Sequence, residues 1–187
     1  RVHDIARADK DFSVKTRGQL FASSKIVLAA GLGNLELAPM VGMKQPVRPV
    51  KGQIMVSERL DKFLNLPTTL IRQTGEGSVM IGDSHEEVGF DLRSTPDVMK
   101  TIADRGRRTF PLLARANVLR CWSALRVMTP DGRPVYDQSE SMPGAFALSC
   151  HSGVTLAAIH ASLFAEYVAQ GKLGDEVASL SVRRFDV

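Results

Sequence analysis

The sequence predicts an α/β protein, more fully an α+β mixture, whose antiparallel middle separates two ends of similar design. Three observations carry that prediction. Residues 11–43 and 143–171 share one design, a buried apolar strand run into a glycine turn and then a helix. The stretch between them is rich in hairpin signals. Only two segments, 94–110 and 151–172, have the length and periodicity of convincing helices. With 187 residues the chain can bury a real core as one domain or two small ones. It divides as 1–43, 44–120 and 121–187, two lobes built from an interrupted chain.

Taken in order, residues 11–30 read as two strands around Thr16, Arg17, Gly18 and Gln19. The second contains "SKIVLAAG", a continuous apolar run of the kind buried on both faces in a parallel sheet. Gly31 and Gly33 open a short helix that closes at Gly42. Such a turn lets backbone N–H groups approach a phosphate or a flat ring, although a plain tight turn is the simpler reading. Residues 47–56 alternate as a strand, with Pro46 and Pro49 marking an edge or an entry. Strands at 68–73 and 78–82 flank "TGEGS" as a hairpin. Ser94 is the expected N-cap of the next helix, with Pro96 in its first turn and Asp97 three residues on. Val98, Met99, Ile102 and Ala103 form its inner stripe. Strands follow at 117–128, 133–137 and 144–150. Small and apolar residues surround most of the last helix, which predicts burial inside the domain. The final "LSVRRFDV" reads as an extended tail.

Composition narrows the function classes. The chain is 44% apolar and 24% charged, ordinary for a soluble globular protein. The net charge of +4 comes from scattered basic residues. "RGRR" at 105–108 reads as a solvated helix end rather than a nucleic-acid site. No apolar run has membrane-spanning length and no signal peptide opens the chain. Cys121 and Cys150 make no disulfide framework and no zinc spacing; they read as buried free thiols in a reducing compartment, which implies the cytoplasm. The abrupt start, without methionine and directly on a strand, reads as a piece of a longer protein.

Candidate chemistry sits in two places. Ser149 to Gly153 form a polar turn feeding the last helix, whose N-terminus offers unpaired N–H groups and positive dipole to a phosphate, a carboxylate or a reduced flavin ring. Ser152 acting only as a helix cap is the plainer reading. His151 beside it is an acid–base candidate, although a structural hydrogen bond is commoner for such a histidine. His160 reads as packing. His85, Glu86 and Glu87 read as a solvated loop after a strand end. Nothing has a metal-ligand pattern. Arg126 is the stronger candidate, a permanent cation among Ala124, Leu125, Val127 and Met128. Burying a guanidinium demands an anion, either an internal Asp or Glu or the carboxylate of a substrate.

Taken together, four motifs resemble the FAD-dependent D-amino-acid oxidase family: "KIVLAAGLGNLELAPMVGMKQPVRPVKGQIMV", "VMIGDSHEEVGFD", "CWSALRVMTPDGRPV" and "ALSCHSGVTLAA". They occur in register over residues 22–171. The family includes glycine and sarcosine oxidases, D-amino-acid dehydrogenases and opine and hydroxyproline dehydrogenase subunits. The dinucleotide fingerprint G-x-G-x-x-G is absent, so the chain resembles the C-terminal half of such an enzyme. The resemblance implies part of a Rossmann-like flavin lobe plus an antiparallel substrate lobe at 44–120. It implies FAD as cofactor and hydride transfer from the C–N carbon of an amino-acid-like substrate, whose imine then hydrolyses. Residue by residue, it implies that Ala30 and Gly31 pass close to the cofactor. Ser152, Gly153, Val154, Thr155 and Leu156 would meet the flavin's pyrimidine edge, Arg126 would pair with the substrate carboxylate, and Asp131, Gly132 and Pro134 would be structural.

Two departures matter. Leu70 stands where glycine oxidases carry a carboxylate-binding tyrosine. Cys150–His151 replaces the usual glycine–histidine pair in a shorter loop, more like the opine and hydroxyproline dehydrogenase subunits. The expectation is therefore a dehydrogenase of a larger secondary amine, with a partner subunit or homo-oligomer and an electron-accepting partner that could hold it at a membrane. The alternative is a non-catalytic binding domain that keeps the fold without flavin.

Overall fold

The computed structural model describes residues 1–185 and divides into two compact units. One comprises Arg1–Arg48 and the chain from Val127 on; the other is Pro49–Arg126.

In the first unit, β1 (Val2–Ala8), β2 (Asp11–Thr16) and β3 (Gln19–Ser23) form an antiparallel meander. Residues 11–30 therefore hold three strands rather than the expected two, because Gly18 at φ 83 closes a two-residue hairpin and Ser23–Lys25 restart the chain before a further strand. β4 (Ile26–Leu28) then pairs parallel to β10 (Ala145–Ser149), which pairs antiparallel with β9 (Val135–Gln138). Strand alternation sends Ala145 and Ala147 into a core with Phe12, Leu28 and Val41, and Phe146 into another with Tyr136, Phe164 and Tyr167. So β10 is the strand buried on both faces. β4 is not, since Val27 is 41% exposed. α1 (Asn34–Leu37) continues as 3₁₀ turns to Val41 and stops at Gly42 with φ 68.

The last helix differs from expectation. It runs as α3 (Ala157–Ile159), a wider π turn over His160–Phe164, and α4 (Ala165–Gln170), ended by Gly171 at φ 85. Only Phe164 and Tyr167 are buried, and Ile159 is 44% exposed. Alanines at 157, 158 and 161 carry too little side chain to demand burial, so one face alone meets the β9–β10 core. Nor does the end extend. Residues Val182–Phe185 turn as 3₁₀ helix, and Arg184 holds them by donating to both Asp131 oxygens and to the carbonyls of Arg133 and Pro134. Residues 186 and 187 of the expected tail lie outside the described residues.

The second unit is a four-stranded sheet in the order β6–β7–β5–β8, from β5 (Arg48–Arg59), β6 (Ile71–Gln73), β7 (Ser78–Ile81) and β8 (Val118–Met128). Register aligns Met55, Ile81 and Ile71 across one face. α2 (Pro96–Thr109) covers that face, with Ile102 in the core and Gly106 tight against Ile81. The helix is capped at Thr95 rather than Ser94, and without a side-chain bond. Gln53 is the reason: its amide accepts from the Thr95 N–H and donates to the Thr95 hydroxyl. The cysteines are also more open than expected. Cys121 is exposed on the outer stretch of edge strand β8, and Cys150 is only half-buried.

Candidate active site

The face of the second unit's sheet opposite α2 carries the even-numbered partners: Val56 stands across from Met80, and Met80 from Arg72. There a cleft of about 360 Å³ is lined by Ile54, Leu70, Arg72, Met80, Asp83 and Arg126, among others. This is within the usual size of small-molecule sites. The Arg126 side chain is 20% exposed. Nη2 donates to Asp83 Oδ2 at 2.6 Å and Nη1 to the Ser84 carbonyl at 2.9 Å. The buried cation therefore has an internal anion. It still keeps donor capacity, because a guanidinium carries five N–H groups.

Three features hold this arginine in place. Asp83 is braced from behind, by His85 Nε2 at 3.1 Å from its carboxylate and by Arg105 Nη1, which donates to the Asp83 carbonyl at 2.9 Å. Arg105 is thus tied down rather than a solvated helix end. Glu86 is not solvated either: its side chain is 17% exposed and pairs at 3.2 Å with Lys51, which is 1% exposed. Burial alone would raise the Glu86 carboxyl, but donors from Ser84, Gln53 and Lys51 outweigh it and hold it below the usual range. The 83–86 segment is thereby fixed to β5. Finally, Gly52 lets the guanidinium lie flat on the sheet, since a Cβ there would stand 2.6 Å from Arg126 Cζ. The flexible side chain would yield before the sheet does. Gly52→Ala is thus expected to leave the fold intact and raise substrate KM about tenfold by displacing Arg126. Steady-state kinetics beside a melting curve check this, and an unchanged KM would contradict it.

In the first unit, Gly31 and Gly153 line one cleft of about 510 Å³ with Ser149, Cys150, Ala157 and His160. Asn34, fully buried, ties down two of the lining residues, Leu148 and Ser149. Its amide nitrogen donates to the carbonyls of Leu28 and Leu148 and to Ser149 Oγ, and its oxygen accepts from the Ala30 N–H at 3.1 Å. One side chain thus ties β4 to β10 and fixes the turn at Ala30. Gly31 has φ +59, and a Cβ on it would meet Val127 at 3.2 Å, so glycine is required there. Ser152 does not cap the helix with its side chain. Its backbone is left-handed at φ 60, its carbonyl accepts from Leu156 N–H, and its hydroxyl is bonded to His151 Nδ1 at 2.8 Å. Val154 is 94% exposed. Among the described residues, no group accepts from the N–H groups of Gly153, Val154 or Thr155. His160 bonds Tyr136 Oη at 2.9 Å, and burial pulls it below its ordinary value.

These donors and glycines fit an anionic, planar group approaching the backbone. Residues 1–167 match the family described as FAD dependent oxidoreductase. The chain belongs to the FAD-dependent oxidoreductase family. An opine oxidase subunit from Rhizobium meliloti is 46% identical over 186 residues, covering 100% of this chain and 50% of that protein. Hydrogen cyanide synthase subunit HcnC of Pseudomonas protegens is 32% identical over 173 residues, covering 89% and 42%. The chain spans about half the length of these curated relatives. Glycine oxidase from Geobacillus kaustophilus shares the fold with a TM-score of 0.89 at 24% identity, covering 98% of this chain and 52% of that one.

Against this family, the sequence singled out Arg126, Gly31 and Gly153, and each lines a cleft. Ala30 lines a separate cleft with Ile26, Val27 and Leu37, its N–H held by Asn34. His151, Ser152, Val154, Thr155 and Leu156 form the exposed turn and helix start beside it. Sequence reasoning missed Asp83, Gly52, Asn34 and the Lys51–Glu86 pair. Lys51 inside an alternating strand was the one local signal, a cation at an inward position.

Proposed function

We propose that this chain is part of a longer flavoenzyme that binds FAD and oxidises the C–N bond of an amino acid or amino-acid derivative. The observation that carries the reading is Arg126: a guanidinium laid flat on a sheet face, anchored to Asp83 and Ser84, with donors left over in a cleft of substrate size. Those donors hold a substrate carboxylate in fixed orientation, which is the protein's contribution to the reaction. The second unit is then the substrate lobe and the first the cofactor lobe. When bound, FAD supplies the two-electron acceptor. The N–H groups of Gly153, Val154 and Thr155, with Gly31, are the groups that would hold it and would stabilise negative charge on it. Leu70 in the cleft replaces a polar anchor with an apolar surface and favours a larger secondary amine. The relatives named as subunits support a partner subunit. No described helix is long and apolar enough to cross a membrane, and cytoplasmic residence goes with this reading.

The visible spectrum of the purified full-length protein tests the proposal. A flavin band bleached anaerobically by a secondary amino acid is expected. Protein that stays colourless with added FAD would point instead to a binding domain without flavin. His151, already occupied by Ser152, acts on structure in this reading, so His151→Ala is expected to change kcat/KM by less than about threefold. Loss of turnover in a flavin-loaded variant would make it catalytic.

A further inference from the structure

Asp83 is the one carboxylate among the residues lining the Arg126 cleft, and its two oxygens are not used alike. Arg126 Nη2 donates to Oδ2 at 2.6 Å, and His85 Nε2 lies 3.1 Å from that same oxygen. Among the described residues no group donates to Oδ1, and the side chain is 33% exposed. A carboxylate has room for about four donors, so one oxygen is left for a further partner. The segment that carries it is fixed all the same. Arg105 holds the Asp83 carbonyl, and the next residue, Ser84, is tied through its hydroxyl to Glu86 and to the Gln53 N–H. A carboxylate placed here only to balance Arg126 would work against an anionic ligand. It takes one of the guanidinium's donors and repels the incoming charge.

A zwitterion reverses that sign. We infer that Asp83 binds the amine of the substrate: Oδ1 accepts from its ammonium while Arg126 holds its carboxylate. The two groups of an α-amino acid hang on one carbon and carry opposite charges, and Arg126 and Asp83 present the complementary charges side by side. A carboxylate contact alone leaves a ligand free to swing about the arginine. A second contact at nitrogen fixes the Cα–N bond as well, and with it the direction of the Cα–H bond. Charge-assisted hydrogen bonds of this kind are short and strong. Asp83 is thus more than the anchor of Arg126: it decides between an amino acid and a plain carboxylic acid of the same shape. The inference rests on the carboxylate role proposed for Arg126.

The test uses the full-length flavoprotein, reduced beforehand so that no ligand is oxidised, and ligand pairs of one shape in which a charged nitrogen replaces a carbon. N-methylglycine is paired with butanoate, N-ethylglycine with pentanoate, and proline with cyclopentanecarboxylate. Anaerobic calorimetry gives the affinities. Asp83 is partly exposed and solvent screens it, so the expected preference for the amino acid in at least one pair is about tenfold. In Asp83→Asn the amino acid should bind about threefold more weakly and its partner about threefold more tightly, which abolishes the preference. The opposite signs are the signature, since a residue that merely braced Arg126 would move both affinities the same way. Asp83→Ser, with the same two shifts expected, takes its place if that variant does not fold. Equal loss for both members of each pair, a preference unchanged in the variant, or none in the wild type overturns the inference. Arg126→Ala separates the two readings, because the plain acids should then lose at least about tenfold in affinity. If they do while the preference is independent of Asp83, the amine role falls alone. If they bind as before, the carboxylate site falls and the amine role with it.

Discussion

Arg126→Ala in the full-length enzyme is expected to lower kcat/KM by at least about a hundredfold, roughly 3 kcal/mol of transition-state binding. Two effects add. The substrate carboxylate loses its charge-assisted donors, and the Asp83 carboxylate, now without its partner 2.6 Å away, faces the incoming anion directly. Arg126→Lys restores the charge without the planar fork and should recover only part of the loss. The loss should fall mainly on KM if the arginine binds ground and transition states alike, and on kcat as well if it aims the C–H bond. Flavin content and melting temperature must stay near wild type for the comparison to count. Near-normal kinetics in a folded, flavin-loaded variant would remove Arg126 from the site.

Asn34→Leu is the largest stability loss expected. The side chain is isosteric enough to fit, yet it strands the carbonyls of Leu28 and Leu148, the hydroxyl of Ser149 and the N–H of Ala30 inside the first unit. Unsatisfied buried groups cost about 1–3 kcal/mol each, and with partial relaxation the total should be about 4 kcal/mol. Hydrogen exchange reads this locally: protection of the β4 and β10 amides should drop by about a thousandfold. The second unit's amides should keep theirs. Unchanged protection in β4 would mean that water or neighbours replace the amide.

The fold was legible wherever periodicity decides it. Alternation located β5, the "TGEGS" turn located β7, a continuous apolar run located β10, and the apolar stripe of α2 landed on the sheet as read. The helix after Gly153 misled because alanine satisfies both a buried and an exposed reading; its apolar count overstated the area that needs covering. Chain reversals by 3₁₀ turns near Phe185 were invisible because they depend on Arg184 reaching Asp131, 53 positions away in sequence. The same limit governs the site. Arg126 stood out as a cation in an apolar strand, and glycine turns announced close backbone approach. Asp83 and Asn34 did not stand out, because a carboxylate in a loop and an asparagine in a turn are ordinary until their distant partners are known. Gly52 became meaningful only once a guanidinium was seen lying on it.

The most direct test is the substrate dependence of anaerobic flavin bleaching in the wild type and in Arg126→Ala, followed by rapid mixing. The expected result is a wild-type flavin band that bleaches with saturation, and a flavin-loaded variant whose saturation constant rises by about a hundredfold. Equal saturation constants in the two proteins would contradict a carboxylate site at Arg126.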